Sequence, residues 1–125
     1  MPVQGPIISV IDDDELLRDA IQRLLRSHGY VVHSFASAEE FLKSGMAGAS
    51  ACIVSDIQLP KMDGLALQDQ LRAQGNAVPV IFITAYPKAT AEARAKKAGA
   101  VCVLYKPFDS DALIACIDTA LKTSN

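Results

Sequence analysis

The sequence predicts one α/β domain, a doubly wound fold in which helices cover both faces of a parallel sheet. Two observations support this prediction: short apolar runs alternate with stretches of helical period, and acidic, hydroxyl or ammonium side chains follow four of the runs. Alternating strands and helices favour parallel strands joined by right-handed crossovers. The apolar runs predict five strands, near 7–11, 31–35, 51–55, 80–83 and 101–104.

The first three helices have clear sequence signals. Leucine, isoleucine and alanine recur at i, i+3 and i+4 spacing from Leu16 to Leu25, and Gly29 ends this amphipathic helix. The stretch 37–40 resembles a capping box that begins a short second helix. Three leucines in 65–71 indicate a third helix that runs to about Gly75.

The last two helices differ in their apolar content. The fourth, from Thr90 to Ala98, consists mostly of alanine and charged residues, so we expect it to offer little packing surface and to be loosely held. The fifth begins with Asp109 or Ser110 as its cap. Its apolar face comprises Leu113, Ile114, Ile117 and Leu121.

Length and charge restrict the function classes. At 125 residues the chain has the usual size of one domain, and we expect residues 1–125 to form it without room for a second. The formal net charge is -2 and the basic residues are scattered, which argues against direct nucleic-acid binding. No segment reaches the roughly 18 apolar residues of a membrane span. We therefore expect neither export nor a membrane location.

The cysteines indicate a compartment. Cys52, Cys102 and Cys116 lie in apolar contexts and form no Cys-x-x-Cys or Cys/His motif. They predict buried, reduced thiols in a cytoplasmic protein.

Polar residues directly after the strands define a candidate site. Asp12 and Asp13 follow the first strand, Asp56 ends the third, Thr84 follows the fourth, and Lys106 follows the fifth. The carboxyl ends of parallel strands point the same way, and such folds bind ligands in the crevice beyond them. We therefore expect these side chains to converge.

The acidic run 12–14 allows two interpretations. One aspartate at a helix start accepts backbone N–H bonds and favours the positive end of the helix dipole. That explanation accounts for one of the three, whereas clustered carboxylates beside a buried strand need a cation or a proton. Mg²⁺, a hard cation that takes few carboxylates, would neutralise them.

Asp56 also has two interpretations. It is either an aspartate that begins a loop or a carboxylate nucleophile beside the cation, able to form an acyl phosphate. The pair Asp63-Gly64 in the same loop indicates turn and cap chemistry.

Thr84 is either a strand end whose hydroxyl caps a turn or a donor to a phosphoryl oxygen. Lys106, between a buried strand and Pro107, needs an anionic partner. Its bond to Pro107 is a candidate for a cis peptide.

Together these residues resemble bacterial response-regulator receiver domains of the CheY-like kind. The resemblance rests on the acidic pair Asp12-Asp13, on Asp56, on Thr84 and on 106–108, and it covers the whole chain. The stretches 55–64 and 83–85 are most similar to FixJ/NarL-type receivers. The resemblance implies a flavodoxin-like (βα)5 sandwich with strand order 2-1-3-4-5.

The resemblance also implies a function. A sensor histidine kinase or phosphotransfer protein would phosphorylate Asp56, with Mg²⁺ held by Asp13, Asp56 and the carbonyl of Gln58, and by Asp12 through water. Thr84 and Lys106 would bind the phosphoryl oxygens. The surface of the fourth helix, fifth strand and fifth helix would then change, to control an output protein or a fused effector domain or to form a homodimer. Such a domain catalyses only its own phosphorylation and dephosphorylation.

One position departs from the family pattern. The family usually has an aromatic residue three positions before the lysine, where this chain has Val103. Tyr105 and Tyr86 lie nearby but at other positions, so neither is assigned the aromatic's switch role. Gln58 and Tyr86 would border the water path, and a bulky Tyr86 would slow autodephosphorylation.

Three other functions compete. Phosphatases of the haloacid dehalogenase type use a similar site but need an acid two residues after the nucleophile, where this chain has Gln58. A nucleotide- or flavin-binding module is disfavoured because the first turn is acidic and lacks glycine. A receiver-like scaffold that acts without phosphorylation remains the third, since Val103 departs from the pattern.

Overall fold

Five strands and five α-helices alternate in the computed structural model, which describes residues 5–86 and 88–123. Each strand lies within one residue of its predicted position at either end, so the predicted alternation is confirmed. The elements are β1 (Ile7–Ile11), α1 (Glu15–Ser27), β2 (Val31–Phe35), α2 (Ala38–Ser44), β3 (Cys52–Asp56), α3 (Gly64–Ala73), β4 (Val80–Thr84), α4 (Ala89–Lys97), β5 (Cys102–Tyr105) and α5 (Ser110–Thr123).

The strands form one parallel sheet in the order β2-β1-β3-β4-β5, as the resemblance implied. The central strand β3 pairs with β1 on one side and with β4 on the other. Both β3 and β4 are buried along their full length, which explains their apolar runs at 52–54 and 80–83. The order places the end of β3 between the ends of β1 and β4.

The core has two layers, one on each face of the sheet. Under α1 and α5 it contains residues such as Ile8, Leu25 and Leu113. Under α2, α3 and α4 it contains residues such as Phe41 and Phe82. Because helices on both faces bury the sheet, only its strand ends are available for polar chemistry.

The helix starts follow the predicted cap chemistry. Ser37 accepts a bond from the Glu40 amide at 3.1 Å, and Asp109 accepts one from the Asp111 amide at 3.1 Å. In α4 only Ala95 is buried, which agrees with the small packing surface predicted for this helix. None of the helices in the described part of the chain combines the length and apolar character of a membrane span.

The prediction of three reduced thiols is wrong for two of them. Cys102 in β5 and Cys116 in α5 form a disulfide, whereas Cys52 is a free, buried thiol, as expected. The two paired residues are 14 positions apart in sequence and belong to no motif. Their pairing arises because α5 folds back over the sheet and packs beside β5, a contact that local sequence does not reveal.

Candidate functional site

The carboxyl ends of β1, β3, β4 and β5 bring the predicted site residues to one edge of the sheet. Asp12 directly follows β1, Asp56 ends β3, Thr84 ends β4 and Lys106 directly follows β5. Asp12, Asp56 and Thr84 are buried, and Asp13 beside them is exposed. The site therefore consists of a buried polar floor with one exposed acid at its rim.

Lys106 connects two of these strand ends. Its Nζ donates to Oδ2 of Asp56 at 2.8 Å and to Oδ2 of Asp12 at 3.1 Å. Its backbone N–H donates to the Thr84 carbonyl at 2.8 Å, which extends the strand pairing by one residue. The bond to Pro107 is cis, the isomer for which the sequence made it a candidate.

The Lys106 contacts outweigh the cost of its burial. Burial opposes the charged ammonium, but its hydrogen bonds and charge interactions with Asp56 and Asp12 raise the pKa of Lys106 above its usual range. The side chain therefore stays cationic at neutral pH.

Three carboxylates lie together beside Lys106, which bonds to two of them, Asp12 and Asp56. Oxygen atoms of Asp12, Asp13 and Asp56 all lie within 4.8 Å of one another. Burial raises the pKa of Asp12, the nearby Asp56 charge adds to this, and the bonds from the Asp14 amide and Lys106 oppose it. The oxygen donor set and the excess negative charge fit Mg²⁺, a hard cation.

The third acid of the run 12–14 has a structural role. Asp14 caps α1, because its side chain accepts bonds from the amides of Leu16 and Leu17 at 3.1 and 3.3 Å. The amide of Asp14 in turn donates to Asp12 at 2.8 Å. The cap interpretation therefore holds for Asp14 and leaves Asp12 and Asp13 beside Asp56.

The loop after β3 is built closely around Asp56. Oδ1 of Asp56 accepts a bond from the Gln58 amide at 2.9 Å, so each of its carboxylate oxygens has one donor. A side chain on Gly64 would collide with the backbone carbonyl of Asp56, which requires glycine at that position. Asp63 caps α3 through the Ala66 amide at 2.8 Å, as its sequence predicted.

Two residues that support the site were missed by sequence reasoning. The Arg18 guanidinium donates to the backbone carbonyl of Asp12 at 2.7 Å, and Glu39 accepts a bond from the Met62 amide at 2.9 Å. This bond lowers the pKa of Glu39. Both lie on helix surfaces where charged residues are ordinary, so their sequence positions carried no distinguishing signal.

The Thr84 hydroxyl bonds to its own loop. It accepts a bond from the Tyr86 amide at 3.1 Å and donates to the Tyr86 carbonyl at 3.3 Å. This is the turn-capping arrangement that the sequence offered as one alternative. Tyr86 itself is 63% exposed.

The residues proposed to modulate the switch lie around β5. Val103 pairs with Phe82 of β4 and packs against the core layer under α2, α3 and α4. Tyr105 is exposed, and its hydroxyl donates to Glu92 of α4 at 2.6 Å, which raises the pKa of Tyr105. Tyr105 therefore joins β5 to α4.

A family comparison agrees with this geometry. The family model described as the response regulator receiver domain matches residues 8–118. Among solved structures, the response regulator StyR has a TM-score of 0.88 and 39% identity over 95% of this chain and 60% of its own. The structure titled FixJ-N has a TM-score of 0.85 and 30% identity over 96% of both chains.

Relatives in sequence are longer proteins. The response regulator protein TodT of Pseudomonas putida is 37% identical over 98% of this chain, which spans 54% of TodT. The transcriptional regulatory protein FixJ of Bradyrhizobium diazoefficiens is 37% identical over 92% of this chain and 56% of its own length. The chain thus spans about half the length of these relatives. From its fold, its site and these matches, the chain belongs to the response regulator receiver domain family of two-component systems.

Proposed function

We propose that residues 1–125 form one receiver domain whose phosphoacceptor is Asp56, with a sensor histidine kinase or a phosphotransfer protein as donor. The observation that carries this proposal is the ammonium of Lys106, bonded to Asp56 and Asp12 at 2.8 and 3.1 Å. It holds positive charge at the place where phosphoryl oxygens would lie after transfer to Asp56.

The transfer step forms one bond and breaks one. A carboxylate oxygen of Asp56 attacks the phosphorus, an O–P bond forms, and the P–N bond to the donor histidine breaks. The leaving imidazole keeps the electron pair and takes up a proton. Lys106 remains protonated and balances charge on the phosphoryl oxygens.

Asp13, Asp56 and the backbone carbonyl of Gln58 would hold Mg²⁺, with Asp12 acting through water. The ion supplies positive charge for the phosphoryl oxygens. The mutual proximity of the three carboxylates supports this assignment. Their repulsion also favours a bound cation before any phosphoryl group arrives.

Thr84 provides the link from the site to a surface. Its hydroxyl now donates to the Tyr86 carbonyl, and it would exchange this acceptor for a phosphoryl oxygen. The loop after β4 would then move and shift the population of conformers of the output face, which we define as α4, β5 and α5. Tyr105 and Glu92 bond across this face, so a change in β5 reaches α4.

A partner that brings the phosphoryl group must approach this edge of the sheet. An apolar groove of about 420 Å³ borders Lys106 and lies between α1 and the start of α5, with Leu17, Leu24 and Phe108 in its lining. Leu16, on the same helix, is 82% exposed. These features provide an apolar surface for a kinase helix beside Asp56.

We infer a cytoplasmic location and an output that lies outside these residues. Because the match covers only 56% of relatives such as the transcriptional regulatory protein FixJ, a fused effector is one candidate output. A separate protein or a homodimer formed through the output face is another. The net charge of -2 argues against nucleic-acid binding by this domain itself.

The proposal is tested by intact mass after incubation with acetyl phosphate, with and without Mg²⁺. We expect the wild type to gain the mass of one phosphoryl group only with Mg²⁺, and Asp56→Asn to gain none. A folded, Mg²⁺-binding wild type that gains no mass would favour the phosphorylation-independent scaffold. Turnover of an external phosphate ester would favour the phosphatase, although Gln58 offers no general acid.

Tyr86→Ala should accelerate loss of the phosphoryl group from Asp56. Tyr86 lies two residues after Thr84, and its amide bonds to the Thr84 hydroxyl at the rim of the site. The bulk of its ring would restrict the approach of water. The decay of the phosphorylated species is followed by intact mass after removal of the donor. Tyr86→Phe is the matched control, because it keeps the aromatic ring and should keep the slow decay. An unchanged decay in Tyr86→Ala would contradict the role.

A further inference from the structure

We propose that Cys102 and Cys116 are a reversible redox pair that fastens α5 to β5 and so opposes the conformational change of the output face. The inference rests on the proposed function, because the change that it opposes is the one driven by phosphorylation of Asp56. The pair joins two of the three elements of that face.

The backbone spacing of the pair suits a disulfide. The Cα atoms of Cys102 and Cys116 are 6.2 Å apart, inside the range of about 4.4–6.8 Å for disulfides. The observed bond therefore lies within ordinary disulfide geometry at the Cα atoms. When it opens, two small, weakly polar thiols remain in the apolar layer beside Leu113 and Ile117.

The pair differs from the third cysteine in access. Cys102, at the start of the edge strand β5, is partly exposed, and Cys116 is 7% exposed. Cys52 is fully buried in β3, and burial raises its thiol pKa to about 12, which leaves it inert as a nucleophile. An external thiol or disulfide thus reaches the pair from the side of Cys102.

A small disulfide such as oxidised glutathione is a sufficient oxidant. The Cys102 thiolate attacks it, forms a mixed disulfide and releases one glutathione thiolate. The Cys116 thiolate then attacks the sulfur of Cys102 and releases the second. The two cysteine protons pass to the two glutathione thiolates. The two cysteine thiols and oxidised glutathione are thereby converted into one protein disulfide and two molecules of reduced glutathione. In a reducing cytoplasm such a bond forms transiently, as redox-sensing disulfides do.

The loop closed by the disulfide contains Lys106, the residue that bonds to Asp56. Lys106 lies between the two cysteines in sequence and bonds to both Asp56 and Asp12. Tyr105, also inside the loop, bonds to Glu92 of α4. A closed disulfide restricts how far α5 can move relative to β5 when Lys106 changes its anionic partner. The reduced form lacks that restriction.

Coupling of this kind must be reciprocal. If the closed pair weakens the binding of a phosphoryl mimic at Asp56, the mimic must favour opening of the pair by the same factor. Beryllofluoride with Mg²⁺ is the mimic. We expect its affinity to be about fivefold or more lower for the oxidised protein than for the reduced protein, within the usual range of allosteric coupling.

The experiment has two readouts on the full chain. Calorimetric titration gives the beryllofluoride affinity of the oxidised and reduced proteins. Equilibration in glutathione buffers, followed by alkylation and mass spectrometry, gives the redox midpoint with and without beryllofluoride. We expect beryllofluoride to lower the equilibrium constant for oxidation of the pair by the same factor that separates the two affinities. Asp56→Asn should abolish this change.

Cysteine variants make the test specific. Cys116→Ala and, independently, Cys102→Ala should make beryllofluoride affinity insensitive to glutathione, whereas Cys52→Ala should retain the sensitivity. Equal affinity in both redox forms, or no Cys102–Cys116 peptide at any glutathione ratio, would overturn the inference while the proposed function stands. Failure of the reduced wild type to bind beryllofluoride would overturn the proposed function, and the coupling with it.

Discussion

Lys106→Ala is expected to lower the free energy of unfolding by roughly 3–5 kcal/mol in metal-free buffer, the cost typical of breaking a buried ion pair. The substitution leaves Asp12, which is fully buried, and Asp56 without their shared cation. Urea denaturation of both proteins measures the difference. Mg²⁺ should restore part of the loss, because a second cation then balances the same carboxylates.

Lys97→Ala is the matched control for this prediction. Lys97 is exposed on α4, so its replacement should change stability by no more than about 0.5 kcal/mol. If Lys106→Ala also changed the free energy of unfolding by no more than about 0.5 kcal/mol, the ammonium would not be stabilising the buried carboxylates.

The effect of Lys106→Ala also has a defined pH range. Folding raises the pKa of Lys106 above the ordinary value of 10.5, so its stabilising contribution is complete below that pH and declines as the pH rises through the folded value. We expect the difference between the two proteins to be constant from about pH 7 to 9 and to narrow only at more alkaline pH. Unfolding curves across this range measure it.

Mg²⁺ at about 100 times its dissociation constant should raise the free energy of unfolding by about 2.7 kcal/mol. For a domain of this size that corresponds to roughly 10 °C in Tm. The physical reason is the repulsion among Asp12, Asp13 and Asp56, whose oxygens lie within 4.8 Å of one another. Thermal unfolding followed by circular dichroism at increasing Mg²⁺ provides the measurement.

Asp13→Asn should remove most of this Mg²⁺ response, because it deletes one proposed ligand without disturbing the buried floor of the site. Asp19→Asn makes the same change of charge at an exposed position of α1 outside the cluster, and should keep the full response. A wild type whose Tm is insensitive to Mg²⁺ would contradict the metal assignment.

Local sequence was sufficient to predict the positions of the strands and helices. The strands were predictable because a short, continuous apolar run such as 80–83 is typical of a strand that helices cover on both faces of the sheet. The helix starts were predictable because caps such as Ser37 and Asp63 accept bonds from amides only three residues away. The strand order came from the family resemblance, since order depends on which distant strands pair.

The convergence of Asp12, Asp56 and Lys106 was also predictable, because parallel strands present their carboxyl ends at one edge. The bonds that each group makes were not. The sequence left open whether the Thr84 hydroxyl would cap its own turn. It gave no sign that Glu39 would accept a hydrogen bond from the Met62 amide in the loop after β3.

The sequence by itself determined the alternation of elements, their boundaries and the identity of the polar groups at the strand ends, because these follow from local periodicity, capping and burial. Only the tertiary structure decided the Cys102–Cys116 pairing, the support of Asp12 by Arg18 and the contact between Tyr105 and Glu92. The Arg18–Asp12 contact joins residues six positions apart, and the other two contacts join residues 13 or 14 positions apart. Such contacts depend on how helices pack against the sheet, and that packing is set by the whole core.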